Sequence, residues 1–291
     1  MSEFSIAVRG PFSLQESARF IAGWPPAEGI ALASASAVRL AFAVDGYRSH
    51  AGVLLRQEGK TVHGELIGTE EVAAVRTQAA RILSLDHDAG DYPGIGERDP
   101  VIGRLQREHP GLRPVLFHSP YEAAGWSIIS ARVHPRQALA TRERLSRQLG
   151  ALLSVSDAEM AAVPLPGRLL ELDSFPGLPE EKVRRLHGVA EAALSGQLDA
   201  EKLHAMPREE ALAQLRSLRG IGPFYATLIL LRATGVRDEL PGAEPRLRTA
   251  AQRAYGLDGV PDEAKVAALA EGWRPYRTWV AALLRASAAQ R

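Results

Sequence analysis

The sequence predicts an α+β protein, with a small antiparallel sheet and one helix at the N-terminus followed by a larger helical domain. Apolar residues alternate at period two as far as about residue 67, as in half-buried strands, and from about residue 99 onward the apolar stripes recur at helical spacing. The 291 residues, 46% of them hydrophobic and 24% charged, suffice for about two domains with a core in each. The expected division is into residues 1–90 and 91–291.

The elements follow in order. Phe4, Ile6 and Val8 alternate as a first strand. Residues 37–44 form the second, closed by the turn Asp45-Gly46, and residues 52–55 and 61–67 form the next two. Val72, Val75, Ala79, Ile82 and Leu83 then fall at helical spacing behind Thr69 and an acidic first turn, which places a helix over 70–85 on one face of the sheet. The polar, glycine-rich stretch 86–96 contains Pro93-Gly-Ile-Gly96 and reads as the connection between domains. Helices are expected over 99–108, 119–133, 135–149, 156–161, 179–195, 207–218, 224–234, 245–255, 262–273 and 275–286, several opening on a cap or a proline.

Composition narrows the chemistry. The chain has no cysteine, which excludes disulfides, thiolate-held iron-sulfur clusters, zinc ribbons and cysteine nucleophiles, and fits a reducing cytoplasm. No leader-like segment opens it and no run reaches about 18 apolar residues, so a soluble, unexported protein with no membrane partner is expected. The histidines are scattered without metal-ligand spacing, and no phosphate-binding Walker loop occurs. Charge is balanced, 35 basic against 34 acidic residues, but only Lys60, Lys182, Lys202 and Lys265 among the basic residues are lysines. The arginine fork suits phosphate and its plane suits stacking; a GC-rich coding sequence would produce the same bias.

The most informative segment is Leu218-Arg-Gly-Ile-Gly-Pro-Phe-Tyr-Ala226. Two amphipathic helices flank a turn in which Gly220 and Gly222 allow backbone angles closed to other residues and Ile221 plugs the helix pair. Arg219, Gly220, Ile221 and Gly222 then present backbone amides at a helix start, a neutral cradle for a phosphate. An ordinary helix-turn-helix corner has the same pattern.

Further along, Leu231-Arg232 with Leu240-Pro241, Leu247-Arg248, Tyr255-Gly256 and Trp273-Arg-Pro-Tyr-Arg277 follow this turn in the order and spacing of the helix-hairpin-helix DNA glycosylases. The resemblance is nearest to the bacterial 3-methyladenine DNA glycosylase II type. Asp99-Pro-Val-Ile-Gly103, His109-Pro-Gly-Leu-Arg113 and Ser119-Pro-Tyr-Glu-Ala-Ala124 add to it, so that roughly residues 80 to 291 are covered. The resemblance implies a helical hairpin domain that binds damaged double-stranded DNA, flips an alkylated purine and hydrolyses its bond to deoxyribose.

Its site residues carry over one by one. The family's catalytic Asp falls on Glu244, one methylene longer, with Asp238 and Glu239 next in line should Glu244 not serve. Ala131 stands where the family has glutamine, and Arg132 where it has an apolar wedge, as a stacking wedge or a duplex contact. Phe224, Tyr225, Trp126 and Tyr276 are the candidate base-pocket aromatics, whereas Trp273 and Trp279 read as core. Family members that also nick DNA use a lysine where this chain has Phe224, so a monofunctional enzyme is implied. It would need no organic or redox cofactor, with a monovalent cation on the backbone around Gly220 and Gly222, and would act as a monomer. Loss of catalysis with retained damage binding, or a preference for oxidised or deaminated bases, are the alternatives.

Overall fold

The computed structural model describes residues 2–22, 32–34, 37–241 and 244–289. Strand β1 (Ser2–Ala7) leads to helix α1 (Leu14–Ala22). Strands β2 (Leu32–Ser34), β3 (Ala37–Ala43), β4 (His50–Glu58) and β5 (Thr61–Ile67) then complete an antiparallel five-stranded sheet ordered β1-β5-β4-β3-β2. Helix α2 (Val72–Ile82) buries Val75, Ala79 and Ile82 in one core with Leu14, Ala18 and Ile21 of α1 and with Val38, Leu40, Phe42, Val53 and Leu55 of the sheet. Strands β1, β3, β4 and β5 and helix α2 lie where the sequence predicts them; β2 and α1 are additional.

Two expectations are corrected. The stretch expected as a connection contains helix α3 (Pro93–Arg98), packed on α4 (Pro100–Glu108). Asp99 sits between them and caps α4, its carboxylate accepting from the amides of Val101 (3.0 Å) and Ile102 (3.2 Å). After α5 (Pro120–Ser130) and α6 (Pro135–Leu149), the segment expected as a helix over 156–161 is instead part of a β-hairpin. Strands β6 (Ala151–Val155) and β7 (Ala158–Ala162) pair antiparallel around Ser156 and Asp157. Ser156 takes a positive φ of 58°, and Val155, Met160 and Ala162 pack on Ala37, Ala41 and Leu54 of the large sheet. Sheet packing overrides the helical preference of a short, alanine-containing segment. The larger domain is therefore not all-helical.

The remaining chain is helical: α7 (Pro166–Leu170), α8 (Glu180–Leu194), α9 (Ala200–Ala205), α10 (Arg208–Arg216), α11 (Pro223–Ala233), α12 (Pro245–Tyr255), α13 (Glu263–Glu271) and α14 (Arg277–Ala289). They serve two cores. One joins α5, α6 and α8 to α11 through residues such as Ile128, Leu186, Leu215, Ile221 and Ile229. The other joins α3 and α4 to α12, α13 and α14 through Ile95, Ile102, Leu247, Val266, Trp273 and Leu283. The seam between α11 of the first and α12 with α14 of the second is where a cleft opens. Among the described residues no helix is long and apolar enough to cross a membrane.

Candidate functional site

Helix α10 ends at Arg216 and α11 begins at Pro223, and the turn between them has the predicted form. Ile221 is 4% exposed and inserts into the helix-pair core, with its amide donating to the Leu218 carbonyl at 3.0 Å. Gly220 takes φ 93°, in the left-handed region. Gly222 is the N-cap of α11 and supplies no side chain to cap it, so the first-turn amides have no side-chain partner. A β-carbon at Gly222 would meet nothing within 4 Å. The space beside Gly222 is therefore open. The carbonyls of Leu218 and Gly222 accept from Ile221 and Ala226, whereas those of Arg219, Gly220 and Ile221 take no such bond among the described residues. Neutral backbone oxygens of this kind fit a hard, singly charged cation. Among the described residues no cluster of three His, Cys, Asp or Glu side chains is placed to hold a metal.

Arg219 projects beside this turn, with Nε 3.4 Å from Glu181 of α8. Ala131 is the C-cap of α5, and Arg132 follows it as an exposed residue with a positive φ of 56°. Both arginines lie outside the cleft wall.

The cleft has a volume of about 580 Å³ and lies between α11, the Leu240-Pro241 segment, the start of α12 and α14. Leu228, Leu231, Leu240, Ala281 and Ala282 make most of its wall apolar; Thr227, Thr278, Arg208, Arg285, Glu244 and Glu263 supply the polar groups. Glu244 is the N-cap of α12, yet its carboxylate does not cap the helix. It turns instead to Arg285 of α14, whose Nη1 stands 3.2 Å from Oε1 and 3.3 Å from Oε2. Arg232 of α11, 6% exposed, also lines the cleft and donates to the Val115 carbonyl at 2.8 Å. Burial pushes the Arg232 guanidinium down to about 9, Arg285 pushes it the same way and Glu244 opposes them.

The predicted aromatics separate. Phe224, 55% exposed, lines the cleft at the start of α11, and Tyr225 meets its ring edge at 5.3 Å without joining the wall. Tyr276 is 1% exposed, donates to the Asp88 carbonyl at 3.2 Å and packs against Tyr92 and Trp279 in the second helical core. Trp126, 8% exposed, belongs to the first core and borders a separate cavity of about 30 Å³. Of the four expected pocket aromatics only Phe224 faces the cleft; helical spacing turned the other side chains into cores. Trp273 and Trp279 are buried as expected.

The Trp273-Arg-Pro-Tyr-Arg277 segment has a structural task. Arg274 Nη1 reaches Asp238 Oδ2 at 3.1 Å and Arg277 Nε reaches Asp238 Oδ1 at 2.9 Å. Thr278 donates to the Glu239 carbonyl and accepts from the Glu239 amide. Together they tie residues 238 and 239 to the start of α14. Asp238 is thereby committed to arginines, and Glu239 to Arg208 at 3.2 Å, which leaves Glu244 as the carboxylate of the three that faces the cleft beside Arg285. Sequence reasoning missed Arg285 and Arg232. Thr278, Ala281, Ala282 and Arg285 do recur at i, i+3, i+4 and i+7, so one face of α14 was visible in the sequence, though not what it faced.

No protein-family profile matches the chain. A curated relative, the DNA-3-methyladenine glycosylase of Bacillus subtilis (strain 168), is 21% identical over 201 residues, or 68% of this chain and 66% of the relative. The chain spans just under two thirds of the length of the first curated relatives it matches. Among solved structures, a 3-methyladenine DNA glycosylase from Archaeoglobus fulgidus superposes with a TM-score of 0.77 at 21% identity, covering 97% of both chains. A DNA complex of the Clostridium acetobutylicum 8-oxoguanine glycosylase/lyase follows with a TM-score of 0.62 at 19% identity, covering 83% of this chain and 85% of that one. With the hairpin, the carboxylate-bearing cleft and the N-terminal sheet all in place, the chain has the fold of these DNA glycosylase structures and is similar in sequence to relatives named for 3-methyladenine.

Proposed function

We propose that this protein is a monofunctional DNA base-excision glycosylase acting on alkylated bases in double-stranded DNA. The observation that carries the reading is Glu244, a carboxylate at a helix N-terminus inside a mostly apolar cleft whose rim continues into the hairpin through Phe224. The amides at Gly222 and the start of α11 would hold one phosphate, which positions the duplex without reading its sequence. A cation on the free carbonyls of Arg219, Gly220 and Ile221 would neutralise that phosphate further.

A nucleotide swung into the cleft would meet apolar walls, with Phe224 available for stacking. As the bond between base and C1′ lengthens, positive charge develops on the sugar, and the negative charge of Glu244 opposes it. The alkylated base, cationic while bonded to the sugar, leaves as a neutral molecule with the bonding electron pair. Water adds to C1′ and loses a proton, so the bond is replaced by C–O with no covalent enzyme intermediate. Among the described residues no lysine lines the cleft, in keeping with hydrolysis without strand cleavage.

The pairing of Glu244 with Arg285 favours a second reading, a damage-binding protein in which the arginine neutralises the carboxylate. One experiment separates the two: base release from duplexes carrying 3-methyladenine or 7-methylguanine, with Glu244→Gln run alongside. Release above the spontaneous rate that falls by about a hundredfold in Glu244→Gln, the scale of losing one preorganised charge, supports the enzyme. Salt-sensitive duplex binding without release in either protein supports the binder.

A further inference from the structure

The turn between α5 and α6 is held from below. Arg132 stands exposed at φ 56°, a backbone region that a β-carbon disfavours and that persists where the surroundings impose it. Helix α5 has no glycine to close it; Ala131, its C-cap, leaves the helix at φ −57° and ψ 121°. One backbone bond, from the Val133 amide to the Ser130 carbonyl at 3.2 Å, closes the turn, and Lys182, in the first turn of α8, adds two more, its ammonium donating to the carbonyls of Ile129 at 2.7 Å and Ala131 at 2.9 Å. A cation at that end also suits the helix dipole.

The same turn of α8 carries the hairpin. Glu181 accepts from Arg185 at 3.0 Å and pairs with Arg219. Arg185 and Ile128 close over Gly220, where a β-carbon would lie 2.8 Å from Arg185 Cδ and 2.9 Å from Ile128 Cδ1. The phosphate cradle and the Arg132 turn are thus two projections from one small platform, with neighbouring side chains of α8 supporting each.

We propose that Lys182 is a positioning residue, holding the α5–α6 turn so that Arg132 meets the duplex in register with the phosphate held at the hairpin. The inference rests on the duplex-binding reading above. A hairpin alone grips any duplex; telling a distorted site from an intact one needs a second contact at a set distance from the first, and a shift of about 1 Å spoils such placement.

The test measures affinity for an intact duplex and for the same duplex with an abasic analogue. In Lys182→Met, which keeps the stem and removes the donors, the abasic-to-intact affinity ratio falls about tenfold, the worth of one charge-assisted hydrogen bond. Lys182→Arg, whose fork offers donors to both carbonyls, recovers most of it. In an Arg132→Ala background Lys182→Met changes the ratio no further, because the two residues act through one contact. An undiminished ratio in folded Lys182→Met, or equal losses with and without Arg132, overturns the proposal. Should Lys182→Met fail to fold, Lys182→Arg and Arg132→Ala decide it: a ratio unaffected by Arg132→Ala overturns it. A parent protein that binds both duplexes equally sinks the damage-recognition reading itself.

Discussion

The chain contains Gly-Ile-Gly twice, and the fold uses the two copies in different ways. In both the isoleucine is an anchor, Ile95 fully buried and Ile221 at 4% exposure. The glycines diverge. In the first copy Gly96 lies against Gly103 of α4, where a β-carbon would fall 2.6 Å from the Gly103 Cα. In the second, Gly220 turns the chain at φ 93° and Gly222 has open space beside it. In one copy Gly96 lacks a side chain so that two helices can touch; in the other Gly222 lacks one so that something outside the protein can. A tripeptide specifies an anchored residue between two bare backbone positions, and what stands opposite decides their use.

Four substitutions test that contrast. The largest effect is expected from Gly96→Val, which forces α3 off α4. Overpacking of this kind costs about 3 kcal/mol, and thermal unfolding checks it, while duplex affinity of the folded fraction stays near that of the parent. Parental stability would mean that the two helices do not meet at these glycines. Gly220→Val comes next, at about 2 kcal/mol for a β-branched residue in the left-handed region, and it weakens duplex binding as well because the cradle is distorted. Denaturant titration beside a binding isotherm reads both.

Gly222→Leu separates access from folding. With nothing beside it and an ordinary extended backbone, stability should fall by no more than about 1 kcal/mol, the cost of a poorer N-cap residue. Affinity for damaged and intact duplexes should drop equally, by about tenfold, since the side chain shields amides that contact phosphate without reading sequence. Full affinity in this variant would remove the hairpin from the interface. The smallest change is Gly94→Ala, at a helical position whose β-carbon meets only Glu97, at 4.0 Å. It should add about 0.5 kcal/mol of stability by restricting the unfolded chain and leave binding untouched; a loss on either count would show that α3 needs its first glycine.

The pattern of residues was enough to place most elements, because apolar period reports which side of an element is buried. Helix α12 spans Pro245–Tyr255, its bounds as predicted, since a proline starts it and Gly256 in the left-handed conformation stops it. Where period and propensity were weak, neighbours decided. The Ser156–Ala161 segment became a strand because the outer face of the large sheet needed Met160 and Val155 as cover. Pro93–Arg98 became a helix because Gly103 admitted Gly96.

The candidate site divides along the same line. The hairpin turn was legible in the sequence, since a turn is a local feature whose residue types follow from backbone geometry. Glu244, Phe224 and Tyr276 were assigned by the resemblance and Trp126 by its aromatic character; Glu244 and Phe224 line the cleft, whereas Tyr276 and Trp126 are buried in the helical cores. Arg285 lies 41 residues from Glu244 along the chain and 3.2 Å from it in space, and Lys182 lies 51 residues from the Ala131 carbonyl it holds. The amino-acid sequence alone determined the elements, the hairpin and the carboxylate's place at a helix start, because these depend on near neighbours. Only the tertiary structure decided which charge faces that carboxylate, which aromatic reaches the cleft and what supports Arg132, because each is a meeting of side chains from helices that the chain brings together only on folding.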